Sequence, residues 1–366
     1  MANRARVLIL FSTCSESMRR TSFEVVAAAT KRYDVQIFAP DKEAKLLREA
    51  ALPVKTWKPT GLLTMLWAID ALRKSVKSYD PDMIHAFGFT AAAAGLGSIS
   101  RMMASRTLVS LHDPIPVGGA ELPKAFVEKR LPLLFERAGS VICARSSLAA
   151  EVEEQLAVAP ETIDIIPPCV PTGPELAMRP TGRPGPIIGF AGLLGPEKSW
   201  EVAVAAFGKI KETLPDAQLW LAGGGTLVPQ VRAEARELGV LESISFFGDI
   251  GLAELFAGID VLMVPRARDP HPRGFLEALV TGVPVVAANR GALADFIGER
   301  ETGWLVSPDA EGLAAGVRDA WAHIDEAWQG AAAQREAAAK EFDPETVIER
   351  TLAHYERLLA ARPVSA

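Results

Sequence analysis

Short β-branched runs alternate with stretches of helical spacing along almost the whole chain. Residues 7–11, 35–39, 83–86, 107–111 and 141–144 read as buried strands. Between them, residues 23–31, 62–77 and 124–137 carry apolar positions at helical intervals. Alternation of this kind predicts βαβ units and a parallel sheet covered on both faces. The pattern breaks at residues 167–186, which hold seven prolines and three glycines and read as an extended linker. A second series of strands follows at residues 187–191, 219–222, 243–247, 261–264, 283–287 and 304–306, again with helical stretches between. The expected fold class is α/β, with two doubly wound domains forming a cleft. In such sheets ligands bind beyond the C-terminal ends of the strands. No short-period repeat is visible.

Composition narrows the class. The chain has 366 residues, room for two cores, and its 49% apolar and 23% charged content is that of a globular protein. No apolar run approaches the eighteen or so residues of a membrane span. Arg4 and Arg6 followed by the apolar residues 7–11 resemble the opening of a signal peptide, but the run is too short and reads as a first strand. The three cysteines, Cys14, Cys143 and Cys169, have no metal-ligand spacing, which fits a reducing, cytoplasmic location. The net charge of −6 is uneven: residues 1–180 hold 22 basic and 19 acidic side chains, leaving 17 and 26 for the rest. An acidic second half is a poor general binder of nucleic acid, so a nucleotide there needs a local pocket.

The segment 261–288, VLMVPRARDPHPRGFLEALVTGVPVVAA, carries the most chemistry. A strand ends at Pro265, a polar loop follows, and a short helix runs from about Arg273 to near Gly282. A helix start placed after a strand offers free N–H groups and a positive dipole end to a phosphate. Glu277, roughly one turn in, could accept hydrogen bonds from ribose hydroxyls. Asp269 could reach a sugar hydroxyl from the loop. Read in isolation, the two acids are more simply a solvated loop charge and a complement to the helix dipole.

They are not isolated. The segment resembles the family 4 glycosyltransferases of the GT-B fold, also called glycosyl transferases group 1. Their signature is an acidic residue, seven intervening residues and a Glu, then a small-residue helix end and a Pro-Val strand. Asp269 and Glu277 match its acidic positions, and Gly282-Val283-Pro284 its end. Phe190-Ala191-Gly192 through Glu197-Lys198 resembles the family's donor motif. Leu219-Trp220-Leu221-Ala222-Gly223-Gly224-Gly225 resembles its strand and glycine turn. Ile244 to Gly248 and Gly303 to Val306 also fall in register. The resemblance implies a donor site of Gly192, Lys198, Gly224, Asp269, Arg273, Gly274, Phe275 and Glu277. It places Lys198 on the pyrophosphate, where a cation stabilises the departing diphosphate.

Departures from the pattern are equally specific. Leu193 stands where the family usually has an arginine, and Arg266, Arg268 or Arg273 are candidates to replace that charge; solvated loop residues are the alternative. Pro272 replaces a glycine, and Asp269 is shorter than the usual Glu. In the N-terminal half, residues 81–86 and 108–113 fit the family's strand-end motifs. The resemblance makes His112 the acceptor-side candidate, with His85 read as structural. The family's glycine-rich first loop is replaced by Ser12-Thr13-Cys14-Ser15-Glu16-Ser17.

The resemblance thus implies a hexosyltransferase of class EC 2.4 with two Rossmann-like domains facing a central cleft. The expected divisions are 1–178 for the acceptor, 179–345 for the nucleotide-sugar donor, and 346–366 as a helix crossing back onto the first domain. Catalysis falls to His112, Lys198 and Asp269, with retention of anomeric configuration and without metal or cofactor. The expected partners are a nucleotide sugar and a sugar, glycan or lipid-linked acceptor, with no nucleic acid. Residues 62–77 form an amphipathic basic helix that could touch the inner membrane face, although a covering helix is the simpler reading. A nucleotide-sugar epimerase, a phosphorylase or a non-catalytic binding subunit of the same fold are the competing readings.

Overall fold

Seven strands make the first sheet: β1 (Arg6–Phe11), β2 (Asp34–Ala39), β3 (Val54–Thr56), β4 (Met83–Phe87), β5 (Thr107–Leu111), β6 (Ser140–Cys143) and β7 (Ile163–Ile165). Their order is β3-β2-β1-β4-β5-β6-β7, and every pairing is parallel. The central strands are mostly apolar because helices cover both faces; β4 and β5 are buried at every residue, with His85, Thr107 and Ser110 as their polar members. The computed structural model describes residues 4–13, 15–57, 62–116, 124–170, 181–192, 194, 199–265, 273–289 and 303–361.

The chain divides into two units, residues 1–169 with 344–366 and residues 170–343. Half of the proline-rich linker, at 171–180, lies outside the described residues. The last helix, Pro344–Ala360, belongs to the first unit, where it buries Val347, Leu352, Tyr355 and Leu358. The stretch 124–137, expected as one helix, is two: Lys124–Lys129 and Leu131–Phe135. Pro132 has no N–H to continue the first helix and stands in the opening turn of the second.

The last helix also fixes a buried polar contact. His85, fully buried on β4, bonds through Nδ1 to the Tyr355 hydroxyl and through Nε2 to Ser110 Oγ, each at 2.8 Å. His354 of the same helix bonds Ser140 Oγ at 2.8 Å and Asp164 Oδ2 at 3.0 Å, with Arg357 against its ring. Burial pushes both imidazoles below their ordinary 6.5. The unfolded chain therefore binds more protons than the folded one once the pH falls below that value. The stability these groups contribute is full above pH 6.5 and is lost as the pH falls toward their lowered folded-state values. Urea midpoints followed from neutral to mildly acid pH should fall; a midpoint that rises on acidification contradicts this account.

The second sheet contains β8 (Ile187–Ala191), β9 (Gln218–Ala222), β10 (Ile244–Gly248), β11 (Val261–Val264), β12 (Val285–Ala288) and β13 (Gly303–Val306). It is parallel throughout, in the order β10-β9-β8-β11-β12-β13. Asp260, 1% exposed, anchors its centre. Its Oδ2 accepts the Ile187 N–H at 2.8 Å with Arg183 Nη1 at 3.5 Å, and its backbone carbonyl accepts Trp328 Nε1 at 3.1 Å. Among the described residues no helix is long and apolar enough to cross a membrane.

Candidate functional site

Strand order in the second sheet locates the site. From β8 the chain steps outward to β9 and β10, then returns to the other side of β8 for β11, β12 and β13. The connections beyond β8 and β11 therefore leave in opposite directions, and a crevice opens between those two strand ends.

On the β8 side the backbone of neighbouring turns packs closely. Gly192 donates its N–H to the Ala222 carbonyl at 2.9 Å, and Leu194 donates to Gly224 O at 2.9 Å. Gly223 has φ +130°, and a Cβ on it would lie 2.1 Å from Gly192 O. A Cβ on Gly225 would lie 2.2 Å from Leu194 O. Gly223 also donates to Gly248 O at 2.5 Å, so the turns after β8, β9 and β10 meet backbone to backbone. Gly224 differs: a Cβ there would meet nothing within 4 Å. The family resemblance gives Gly192, which has φ +152°, and Gly224 as donor-site residues; close packing requires Gly223 and Gly225 in addition, and their only signal was the run of three glycines.

On the β11 side the helix Arg273–Thr281 returns to the crevice. Phe275, Leu276, Ala278, Leu279 and Val280 are buried in the core, whereas Gly274, Glu277 and Thr281 are half-buried. Spacings of three and four place these last three on one helix face. A Cβ on Gly274 would come 3.0 Å from the Ala191 Cβ, so the first turn sits against the last residue of β8. Glu277 follows one turn later on the same face. The Phe275 side chain is 1% exposed, so what this residue can give a ligand comes from its backbone. Helix-start N–H groups, open glycine backbone and a carboxylate one turn away can together receive a phosphate and a polyhydroxylated group. Lys198, Arg266, Arg268 and Asp269, and the side chain of Arg273, lie outside the described residues.

In the first unit His112 follows β5 directly, with its side chain 4% exposed and its carbonyl accepting Arg145 Nη1 at 2.9 Å. His85 has both ring nitrogens engaged inside the core. Ser12, in the loop where the glycines are missing, accepts the Ala91 N–H at 2.9 Å and so caps the helix Phe89–Ser98. Gly88, at φ +90°, makes room for it: a Cβ there would be 2.7 Å from Ser12 Oγ.

Residues 179–334 match the family described as glycosyl transferases group 1, and residues 18–173 match glycosyltransferase family 4. The chain belongs to glycosyltransferase family 4. Its fold is GT-B, built from two Rossmann-like units. Among curated relatives, it is 28% identical over 238 residues to the 2-deoxystreptamine glucosyltransferase of Streptomyces kanamyceticus, covering 61% of this chain and 62% of that one. To the glycogen synthase of Mycobacterium tuberculosis it is 32% identical over 186 residues, 50% of this chain and 45% of that one. The chain thus spans less than two thirds of the length of these curated relatives. The crystal structure of HepE from Anabaena in complex with UDP superimposes with a TM-score of 0.76 at 19% identity, covering 96% of this chain and all of that one, a likeness of fold.

Proposed function

We propose that the protein transfers a hexosyl group from a nucleoside-diphosphate sugar to an acceptor hydroxyl, with the donor held at the β8–β11 crevice. The observation that carries this reading is the face shared by Gly274 and Glu277, set against the end of β8 beside the glycine turns. The UDP bound by HepE and the glucosyl transfer named for the Streptomyces relative support the donor class. In the reaction the bond from the anomeric carbon to the phosphate oxygen breaks, and the nucleoside diphosphate leaves with the electron pair. The acceptor oxygen bonds to the anomeric carbon, and its proton passes to the departing diphosphate oxygen. Helix-start N–H groups stabilise the charge that grows on the diphosphate. Glu277 receives the ribose hydroxyls. Lys198 and Arg273, with Arg266 and Arg268, are assigned to the diphosphate, Asp269 to a donor-sugar hydroxyl, and His112 to the acceptor. The transfer proceeds with retention and without metal.

Incubation with a panel of nucleoside-diphosphate sugars, with and without acceptor alcohols, tests the proposal. Nucleoside diphosphate release that depends on acceptor supports it. A changed nucleotide sugar formed without acceptor would make the protein an epimerase, and donor binding with no turnover would make it a binding subunit.

Peripheral contact with a membrane is part of the same proposal and rests on the first unit. Met102 and Leu133 are 61% and 55% exposed, the most exposed large apolar side chains among the described residues. They stand on the helices Arg101–Ala104 and Leu131–Phe135, whose ends and flanking residues are joined by two hydrogen bonds, from the Arg137 side chain Nη2 to Ile99 O and from the Gly139 N–H to Ala104 O, each at 3.1 Å. Exposed Arg101, Lys129 and Arg130 accompany them. Apolar tips among cations suit an anionic lipid surface. The protein should sediment with anionic vesicles at low salt, less so at high salt, and less with Met102→Asp plus Leu133→Asp; equal sedimentation with uncharged vesicles removes this contact.

A further inference from the structure

At the far end of the second sheet from the glycine turns, near the start of β13, lies a cavity of about 400 Å³, within the range of small-molecule sites. Trp304 forms one wall, with Asp319, His323, Glu326 and Gly330 around it. Asp319 acts as a bracket: its Oδ2 accepts the Trp304 indole N–H at 2.6 Å, and its Oδ1 lies 3.3 Å from His323 Nδ1. Both rings are thereby held beside the opening. Glu326 is exposed in the first turn of the helix Ile324–Glu341, and Gly330 lies four residues on, on the same helix face.

Gly330 is the unexplained residue. It sits inside an eighteen-residue helix, and it is not among the residues with positive φ. A Cβ there would meet nothing within 4 Å. Neither backbone conformation nor packing asks for glycine, and glycine in a helix interior costs about 1 kcal/mol relative to alanine. Its effect is to keep the cavity floor open beside Ala327 and Ala331.

The lining selects among ligands. An anion is disfavoured by Asp319 and Glu326. A metal ion finds no ligand set, since among the described residues no three His, Cys, Asp or Glu side chains are placed to hold one. What remains is a neutral molecule with an apolar face and a rim of hydroxyls. The indole ring can take the C–H face of a pyranose, while Glu326 accepts, and His323 exchanges, hydrogen bonds with its hydroxyls. We infer that this cavity is a second saccharide site, holding one sugar ring of a glycan at the opposite end of the sheet from the donor crevice. It stands independently of the donor reading.

Saturation-transfer NMR on the full chain, with neutral gluco-, galacto- and manno-configured oligosaccharides as probes, tests it. At least one configuration should bind. Gly330→Gln, which fills the floor with a better helix former, and Glu326→Ala should each weaken that binding by about tenfold. Nucleoside-diphosphate affinity should stay unchanged in both variants, which separates this site from the donor crevice. Absence of saturation transfer from every configuration, binding that Gly330→Gln leaves intact, or a preference for choline over all the sugars overturns the inference.

Discussion

Glu277→Gln lowers nucleoside-diphosphate affinity or turnover by a factor of about 10 to 100, while thermal stability stays close to that of the parent. The estimate follows from the loss of a charge-assisted hydrogen bond worth about 1.5–3 kcal/mol. Glutamine has nearly the same size, but it offers one acceptor oxygen where the carboxylate offers two, and places a donor where a ribose hydroxyl must donate. The fold is spared because Glu277 stands on the half-buried face with Gly274 and Thr281, and the core is made by Phe275, Leu276, Ala278 and Leu279. Calorimetric titration with the matching nucleoside diphosphate, beside a turnover assay, measures both quantities. If neither changes, Glu277 is not in the site.

Gly223→Ala should be the most damaging single methyl in the second unit. The residue is at φ +130°, where an L side chain is strained, and its Cβ would arrive 2.1 Å from the Gly192 carbonyl oxygen. Retreat is blocked on both sides. Gly192 is tied to Ala222, and Gly223 to Gly248, by backbone hydrogen bonds. Backbone strain and overpacking together cost on the order of 3 kcal/mol or more. Gly224→Ala is the internal control: that residue is not at positive φ and has open space around it, so folding should change by no more than a few tenths of a kcal/mol. Its methyl would instead enter the crevice, and nucleotide binding should weaken without unfolding. Urea titrations of both variants decide the matter; equal destabilisation of the pair would show that the glycine turns do not meet as described.

What the chain reveals by itself is whatever depends on local period and order. A run such as Val7 to Phe11 can only be a strand buried on both faces, and a series of such runs with helical spacing between them implies a parallel sheet. The separation of Asp269 from Glu277, followed by Gly282-Val283-Pro284, carried the family resemblance because it is a spacing along one segment. The short edge strands β3 and β7 were not legible, since three residues show no period, and Pro132 divided a helix that apolar spacing alone made continuous.

Tertiary structure decided everything that joins distant segments. His85 and His112 each stand near the C-terminal end of an apolar run, and the family resemblance marked His85 as structural without showing its partners. His85 is a core residue because Ser110, on the neighbouring strand, and Tyr355, 270 residues away, take its two nitrogens. The glycines after β9 acquire their separate roles only where the turn after β8 is laid against them: Gly223 and Gly225 are fixed by the carbonyls of Gly192 and Leu194, and Gly224 is left open. Gly274 likewise matters through Ala191, a residue of another strand. Hydrophobic period reports which face of an element is buried, but not what is buried against it; that follows from strand order, and strand order is set by packing across the whole sheet.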